Sequence, residues 1–422
     1  MKHDSVAGGT VNNNDQLVGL ENLANTPTGG DAPSNSIPLT LNMDLADGGW
    51  ETVLTAVAAA DKYVALDLSA CTMTGTEFDP RIGATEEDGA IGTPKIAGVD
   101  KITTLVLPNT AKSVKAGMWT DPPFKAFTSL ESLSGAGIET ISAYTFCGCA
   151  NLTEVTLPLA SVIDGYAFDK CKNLRTASLP LAATIGEAAF SCTSLTEMDL
   201  PVATTVGAYA FSFCTNLTCV NLSSATTIGD YAFDQCASLT EANFPATATI
   251  GDYTFRDCAN LIAVNLPLAS VIGESAFRDC ASLTEMNLPA VVTVRAYAFV
   301  NCAGLISASL PLATSVSDSA FYGCESLRTV NLSSVATVGV RAFCGCASLT
   351  EAILPATPPS IKEVYFGVFY STGAGAITVK VPTGAVSAYT SAWGVDAETP
   401  KDGNTDAYGF NHKAVIITDA AQ

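Results

Sequence analysis

Apolar residues recur along this chain with a period of 22. Phenylalanine falls at 146, 168, 190, 211, 233, 255, 277, 299, 321 and 343, with a single step of 21 between Phe190 and Phe211. Other rows keep the same phase. Ile or Val stands five residues before each Phe, from Ile141 to Val338, and Cys follows it by three residues, or by two at Cys192. Leu follows each Cys by three, from Leu152 to Leu349, and an apolar-x-apolar-Pro stretch closes most turns. In Leu152–Pro158, Val155 and Leu157 share a face at period two, which predicts a half-buried strand ended by Pro158. The Phe-x-x-Cys spacing predicts a single helical or 3₁₀ turn on the opposite side. One such unit cannot bury its own apolar side. Stacking the units buries a continuous core, with parallel strands ~4.8 Å apart along the axis.

The pattern Ile-Gly-x-x-Ala-Phe-x-x-Cys-x-x-Leu-x-x-Val-x-Leu-Pro resembles the Treponema pallidum type of leucine-rich repeat of BspA-like proteins. The match is strict over about half of the chain and, with degenerate turns, extends over most of residues 60–360. It implies an α/β fold: a right-handed leucine-rich-repeat solenoid, or horseshoe, with a parallel β-sheet on the concave face and short helical turns on the convex face. The chain departs from the better-known repeat, because its Cys row precedes the strand instead of following it.

Four segments are expected. Residues 1–44 read as a flexible N-terminal linker, rich in Gly, Asn, Thr, Ser and Pro. Residues 45–137 hold an N-terminal cap with a helix over Trp50–Tyr63 and worn strands at Leu66–Ser69, Leu105–Pro108 and Leu130–Leu133. An insertion over Thr72–Lys101 carries the acidic run Glu86-Glu87-Asp88. Residues 138–357 are the ten regular repeats. Residues 358–422 form a C-terminal cap, with strands at Ile377–Val381 and Asn411–Thr418 and a short helix at Ala385–Trp393.

Composition narrows the functions. Twenty Lys+Arg against 41 Asp+Glu give a net charge of −21, and charged residues are only 14% of the 422. Such a chain is no phosphate-backbone binder and does not dock on anionic lipid. Mean hydropathy is +0.31, yet no apolar run approaches the ~18 residues that span a bilayer. No nucleic-acid partner and no membrane insertion are expected.

Catalytic chemistry has little to work with. The two histidines, His3 and His412, lie near opposite ends without a nucleophile pattern around them, and no phosphate-binding glycine motif occurs. The expectation is a non-enzymatic chain with no catalytic residue and no cofactor. Asp402-Gly403-Asn404-Thr405-Asp406 is calcium-loop-like but lacks the later glutamate, and an acidic turn is the simpler reading. The pairs Cys147/Cys149 and Cys344/Cys346 lack a second pair in the same turn for zinc, so no metal is expected. The row Cys149, Cys171, Cys192, Cys214, Cys236, Cys258, Cys280, Cys302, Cys324 and Cys346 is locked in phase to Phe and Leu. That phase suits a structural ladder of buried thiols and not a disulfide framework. Cys71 and Cys219 fit no motif.

Binding is sought on the outward strand positions. Two residues after the row Leu come Glu154, Thr176, Glu197, Cys219, Glu241, Ala263, Glu285, Ser307, Thr329 and Glu351. Through Glu285 the glutamates take every second turn. Like charges one turn apart would repel by roughly 0.9 kcal/mol even at water's dielectric, and skipping a turn halves that. Two positions further on the row is polar, with Asp199, Asn221, Asn243, Asn265 and Asn287 in successive turns; stacked amides serve a ladder as readily as a ligand. The candidate ligand-binding residues are therefore Glu154, Glu197, Asp199, Glu241, Asn243, Glu285 and Asn287. Tyrosines two residues before Phe, at 144, 166, 209, 231, 253 and 297, form a competing row on the other side.

The resemblance implies an extracellular or cell-surface protein that mediates adhesion to a host-cell, matrix or microbial protein. A glycan-binding module and a structural spacer are the alternatives, and a monomer is expected. The opening Met1-Lys2-His3-Asp4 carries neither export signal nor lipid-accepting Cys, so any lipid anchor is expected in a segment absent from this chain.

Overall fold

The computed structural model describes residues 23, 29–81, 97–361, 376–393 and 414–419, and the chain divides into two units, Met1–Ala203 and Thr204–Gln422. His3, His412, the Glu86–Asp88 run and the Asp402–Asp406 loop lie outside the described residues.

In the first unit the strands stack in parallel. Ile37–Thr40, Val64–Asp67, Ile102–Val106, Ser132–Ser134, Glu154–Thr156 and Thr176–Ser178 form one sheet in that order. The cap helix runs over Gly49–Ala60 and buries Trp50, Val53, Leu54 and Val57. Trp50 Nε1 donates to Pro80 O at 3.1 Å, which satisfies the indole where its ring is covered. Part of the stretch read as linker is ordered instead. Ile37 N–H donates to Tyr63 O at 2.8 Å and Leu41 N–H to Asp67 O at 2.9 Å. Composition hid this strand because Pro38 stands inside it, a residue that edge strands tolerate.

The second unit repeats the plan. Cys219–Asn221, Glu241–Asn243 and Ala263–Asn265 pair in register. A further sheet runs Glu285–Asn287, Ser307–Ser309, Thr329–Asn331, Glu351–Ile353, Ala376–Val381 and Ala414–Asp419, all parallel. Between the two sheets the ladder is interrupted, but Thr284 N–H still reaches Ile262 O at 3.4 Å, so the stack continues. In the C-terminal cap the helix is Val386–Trp393, and Tyr389, fully buried, donates its hydroxyl to Pro355 O at 2.8 Å.

Each turn also holds a second extended piece that the hydrophobic pattern does not announce. The Ile/Val row sits at the end of two-residue strands such as Thr227–Ile228, Thr249–Ile250 and Val271–Ile272, which pair in parallel from turn to turn. Two residues are too few for an alternation to show. The opposite side carries the single turns expected at Phe-x-x-Cys, with Cys236 N–H donating to Phe233 O at 3.1 Å, and these do not lengthen into helices. The cause is local: a residue two before Phe and one two after it adopt left-handed backbone, as in Tyr231 (φ 57°) with Gln235 (φ 58°) and Tyr253 (φ 58°) with Asp257 (φ 59°). A helix cannot run through such residues.

Phe and Cys form the axis of each unit. In the second unit Phe233, Phe255, Phe277 and Phe299 stack at 5.2–5.4 Å with planes within 11°. Each following thiol donates to the carbonyl of the Phe one turn earlier: Cys258 to Phe233 O, Cys280 to Phe255 O and Cys324 to Phe299 O, all at 3.1 Å. Cys149, Cys171, Cys236, Cys302 and Cys346 do likewise within their units, and Cys214 is buried in the same row. A small apolar side chain with a weak donor fills a tight space and satisfies a carbonyl that faces the core.

Cys192 departs from this ladder. It takes the left-handed position two residues after Phe190 (φ 57°) and is only half-buried. Thr193, 4% exposed, is the buried residue there. The residue missing from the 21-residue turn is therefore lost after Thr193, between the ladder position and Leu195, and not before Cys192.

Candidate binding face

The three-residue strands point their middle residue inward and the flanking two outward, so their outer face is built from the two rows singled out above. Glu154 is exposed beside half-buried Thr156, and Glu197 and Asp199 are both exposed, in the first unit. In the second unit Glu241, Asn243, Glu285 and Asn287 are all exposed around buried Ala242 and Met286. Asn265 Nδ2 donates to Asn243 Oδ1 at 2.8 Å, so part of the amide row serves the stack.

Some acids off the face find cations: Glu139 with Lys112 at 2.7 Å, Glu77 with Lys115 at 3.0 Å, Asp252 with Arg295 at 3.0 Å. Even Glu351, at the far end of the row, holds Lys380 at 2.9 Å. Glu154, Glu197, Glu241 and Glu285 pair with no cation among the described residues. Their charge is left to solvent or to a partner.

Exposed apolar residues border the face, and the polar rows gave no hint of them. Ile262 is 50% exposed and Ile306 43%, each directly before its strand, where neighbouring turns carry Thr240 and Thr284. Leu268 and Leu312 are exposed at the other edge of the same turns. The signal was present: Ile in a Thr row, in the turns that lack Glu.

The turn side is organised for cohesion. Tyr209, Tyr231 and Tyr253 stack at 4.7 and 4.6 Å with planes within 9°, which turns their faces toward one another. Arg256 closes a two-pronged pair with buried Asp234 at 2.8 and 2.9 Å, and its guanidinium lies over the Tyr231 and Tyr253 rings. Burial pushes the Asp234 carboxyl up despite this partner, and the bond to Asp234 raises Arg256. In the first unit burial raises the Asp169 carboxyl from its ordinary value, ahead of the lowering by Lys170. Burial, with Asp169 beside it, pushes the Cys147 thiol up to about 11. That thiol is no nucleophile at neutral pH. No group of three His, Cys, Asp or Glu side chains suited to a metal ion occurs among the described residues, and no described helix is long and apolar enough to cross a membrane.

Parallel strands stacked every 22 residues over Phe and Cys columns define a leucine-rich-repeat solenoid. The family model described as "BspA type Leucine rich repeat region" matches six copies, over residues 91–204, 139–262 and 248–374, more than half of the chain. The chain belongs to the BspA-type leucine-rich-repeat proteins. Among solved structures it is similar to a leucine-rich repeat protein from Bacteroides ovatus, at 25% identity over 61% of this chain and 80% of that one, with a TM-score of 0.40. A leucine rich cell surface protein from Faecalibacterium prausnitzii matches at 21% identity over 54% and 78%, with a TM-score of 0.33. The leucine-rich-repeat protein of T. pallidum matches at 27% identity over 46% and 77%, with a TM-score of 0.30. No curated protein matches the chain.

Proposed function

We propose that this chain is a non-enzymatic, cell-surface adhesion protein that docks a basic protein surface on the outer face of its strands. The observation that carries this reading is that Glu154, Glu197, Glu241 and Glu285 are exposed on the strand face and pair with no cation among the described residues. Unpaired carboxylates on a chain of net charge −21 steer cationic surfaces toward it and give an association that slows as salt rises. The tyrosine row is the weaker candidate, because its rings spend their faces on each other and offer mainly edges.

The test uses beads coated with the full chain and counted on a cultured epithelial layer. Reversal of Glu197, Glu241 and Glu285 to Lys should reduce retention to that of uncoated beads, while replacement of Tyr209, Tyr231 and Tyr253 by Ser should leave it unchanged. Retention equal to the parent's after the Glu reversals would overturn the proposal.

A further inference from the structure

In the second unit the unpaired acids and the exposed isoleucines alternate along the stack. Successive turns present Glu241, Ile262, Glu285 and Ile306, so charge and apolar surface each repeat every second turn. This is a 44-residue period laid over the 22-residue one. With ~4.8 Å per turn, the four groups stand at roughly 0, 4.8, 9.6 and 14.4 Å along the axis. The register Glu241↔Ala263 places the first two turns side by side, and the Thr284 N–H to Ile262 O contact at 3.4 Å keeps the step across the interrupted ladder.

That spacing selects the shape of what can lie along it. An extended strand shows the same face every ~6.6 Å and falls out of step by the second group. An α-helix rises ~1.5 Å per residue, so positions i, i+3, i+7 and i+10 stand at roughly 0, 4.5, 10.5 and 15 Å on one face. Measured along the axis, each lies within about 1 Å of the level of a group on the solenoid. We infer that the partner segment is a basic amphipathic α-helix lying parallel to the stack, with Lys or Arg seven residues apart and an aliphatic residue three after each. The cations meet Glu241 and Glu285, and the aliphatic side chains meet Ile262 and Ile306. Leu268 and Leu312, exposed past the prolines of the same two turns, extend the apolar contact along one flank of the helix. The small Ala263 and Ser307 between the two edges leave room for its width.

This inference rests on the strand face being the docking surface, and its test separates the two ideas. The probe is a monomeric designed helix with Lys at i and i+7 and Leu at i+3 and i+10, compared by calorimetry with a peptide of identical composition whose Lys and Leu are scattered around the helix. The full chain should bind the ordered helix at least tenfold more tightly. Ile262→Ser with Ile306→Ser should remove that preference, and Glu241→Lys with Glu285→Lys should abolish binding of both peptides. If the Glu reversals abolish binding while the two peptides bind equally, the acidic face stands and the helical register is wrong. If the Glu reversals leave binding intact, the face itself is wrong. All four substitutions are at exposed positions, and an unchanged thermal melt certifies each variant as folded.

Discussion

Phe255→Ala should lower the unfolding free energy by ~3–5 kcal/mol, the loss expected when a fully buried ring leaves a cavity that cannot collapse. The ring is 0% exposed. It stacks on Phe233 at 5.4 Å and on Phe277 at 5.2 Å, with Phe244 tilted against it at 5.7 Å. Main-chain bonds hold both neighbours, Phe233 N–H to Thr254 O at 2.9 Å and Phe255 N–H to Ala276 O at 2.8 Å, so the turns cannot close over the gap. In a solenoid each turn leans only on its neighbours. The damage should therefore be local at first: amide exchange in residues 230–280 accelerates well before exchange near Phe321 and Phe343. Equal acceleration along the whole chain would contradict the nearest-neighbour picture.

The second large effect is in thiol accessibility. Denatured without reductant, the chain should titrate fourteen free thiols, its full complement. Folded, it should react rapidly only at Cys219, the one exposed thiol among the described residues, and slowly at half-buried Cys192 and Cys344. Burial holds Cys171, Cys236, Cys280 and Cys324 well above the ordinary thiol range, which leaves almost no thiolate to react. Their Sγ–H groups are already committed, Cys236 to Phe211 O and Cys280 to Phe255 O at 3.1 Å. Fewer than ten thiols in the denatured chain would mean disulfides, and a different account of the Cys row.

The stacked strands could be read from the chain because their cause is periodic. Val155 and Leu157 alternate with polar neighbours, and ten turns repeat the statement. The two-residue strands could not, since Thr227–Ile228 is too short to show any period. What ends each turn after one hydrogen bond depended on backbone that side-chain pattern does not encode: Tyr, Lys, Gln and Asp all accept left-handed φ here because interturn bonds such as Tyr231 N–H to Asp252 O at 2.9 Å hold them. The shift at Cys192 was hidden by residue identity, a Cys next to the position that Thr193 fills.

The candidate face was half legible. The Glu and Asn rows stood out in sequence, but only the structure shows which carboxylates lack a cation. Ile262 and Ile306 were overlooked because an apolar residue next to a row Leu reads as more core.

All of this depends on the 22-residue turn being the structural unit. Excision of residues 256–277 joins Phe255 to Arg278 with every column still in phase, whereas excision of the 11 residues 256–266 throws Phe, Cys and Leu out of phase. Thermal melting followed by circular dichroism compares the two with the parent. The account predicts that the 22-residue deletion keeps the parent spectrum and a cooperative melt, and that the 11-residue deletion loses both. Equal tolerance of the two deletions, or collapse of both, would contradict it.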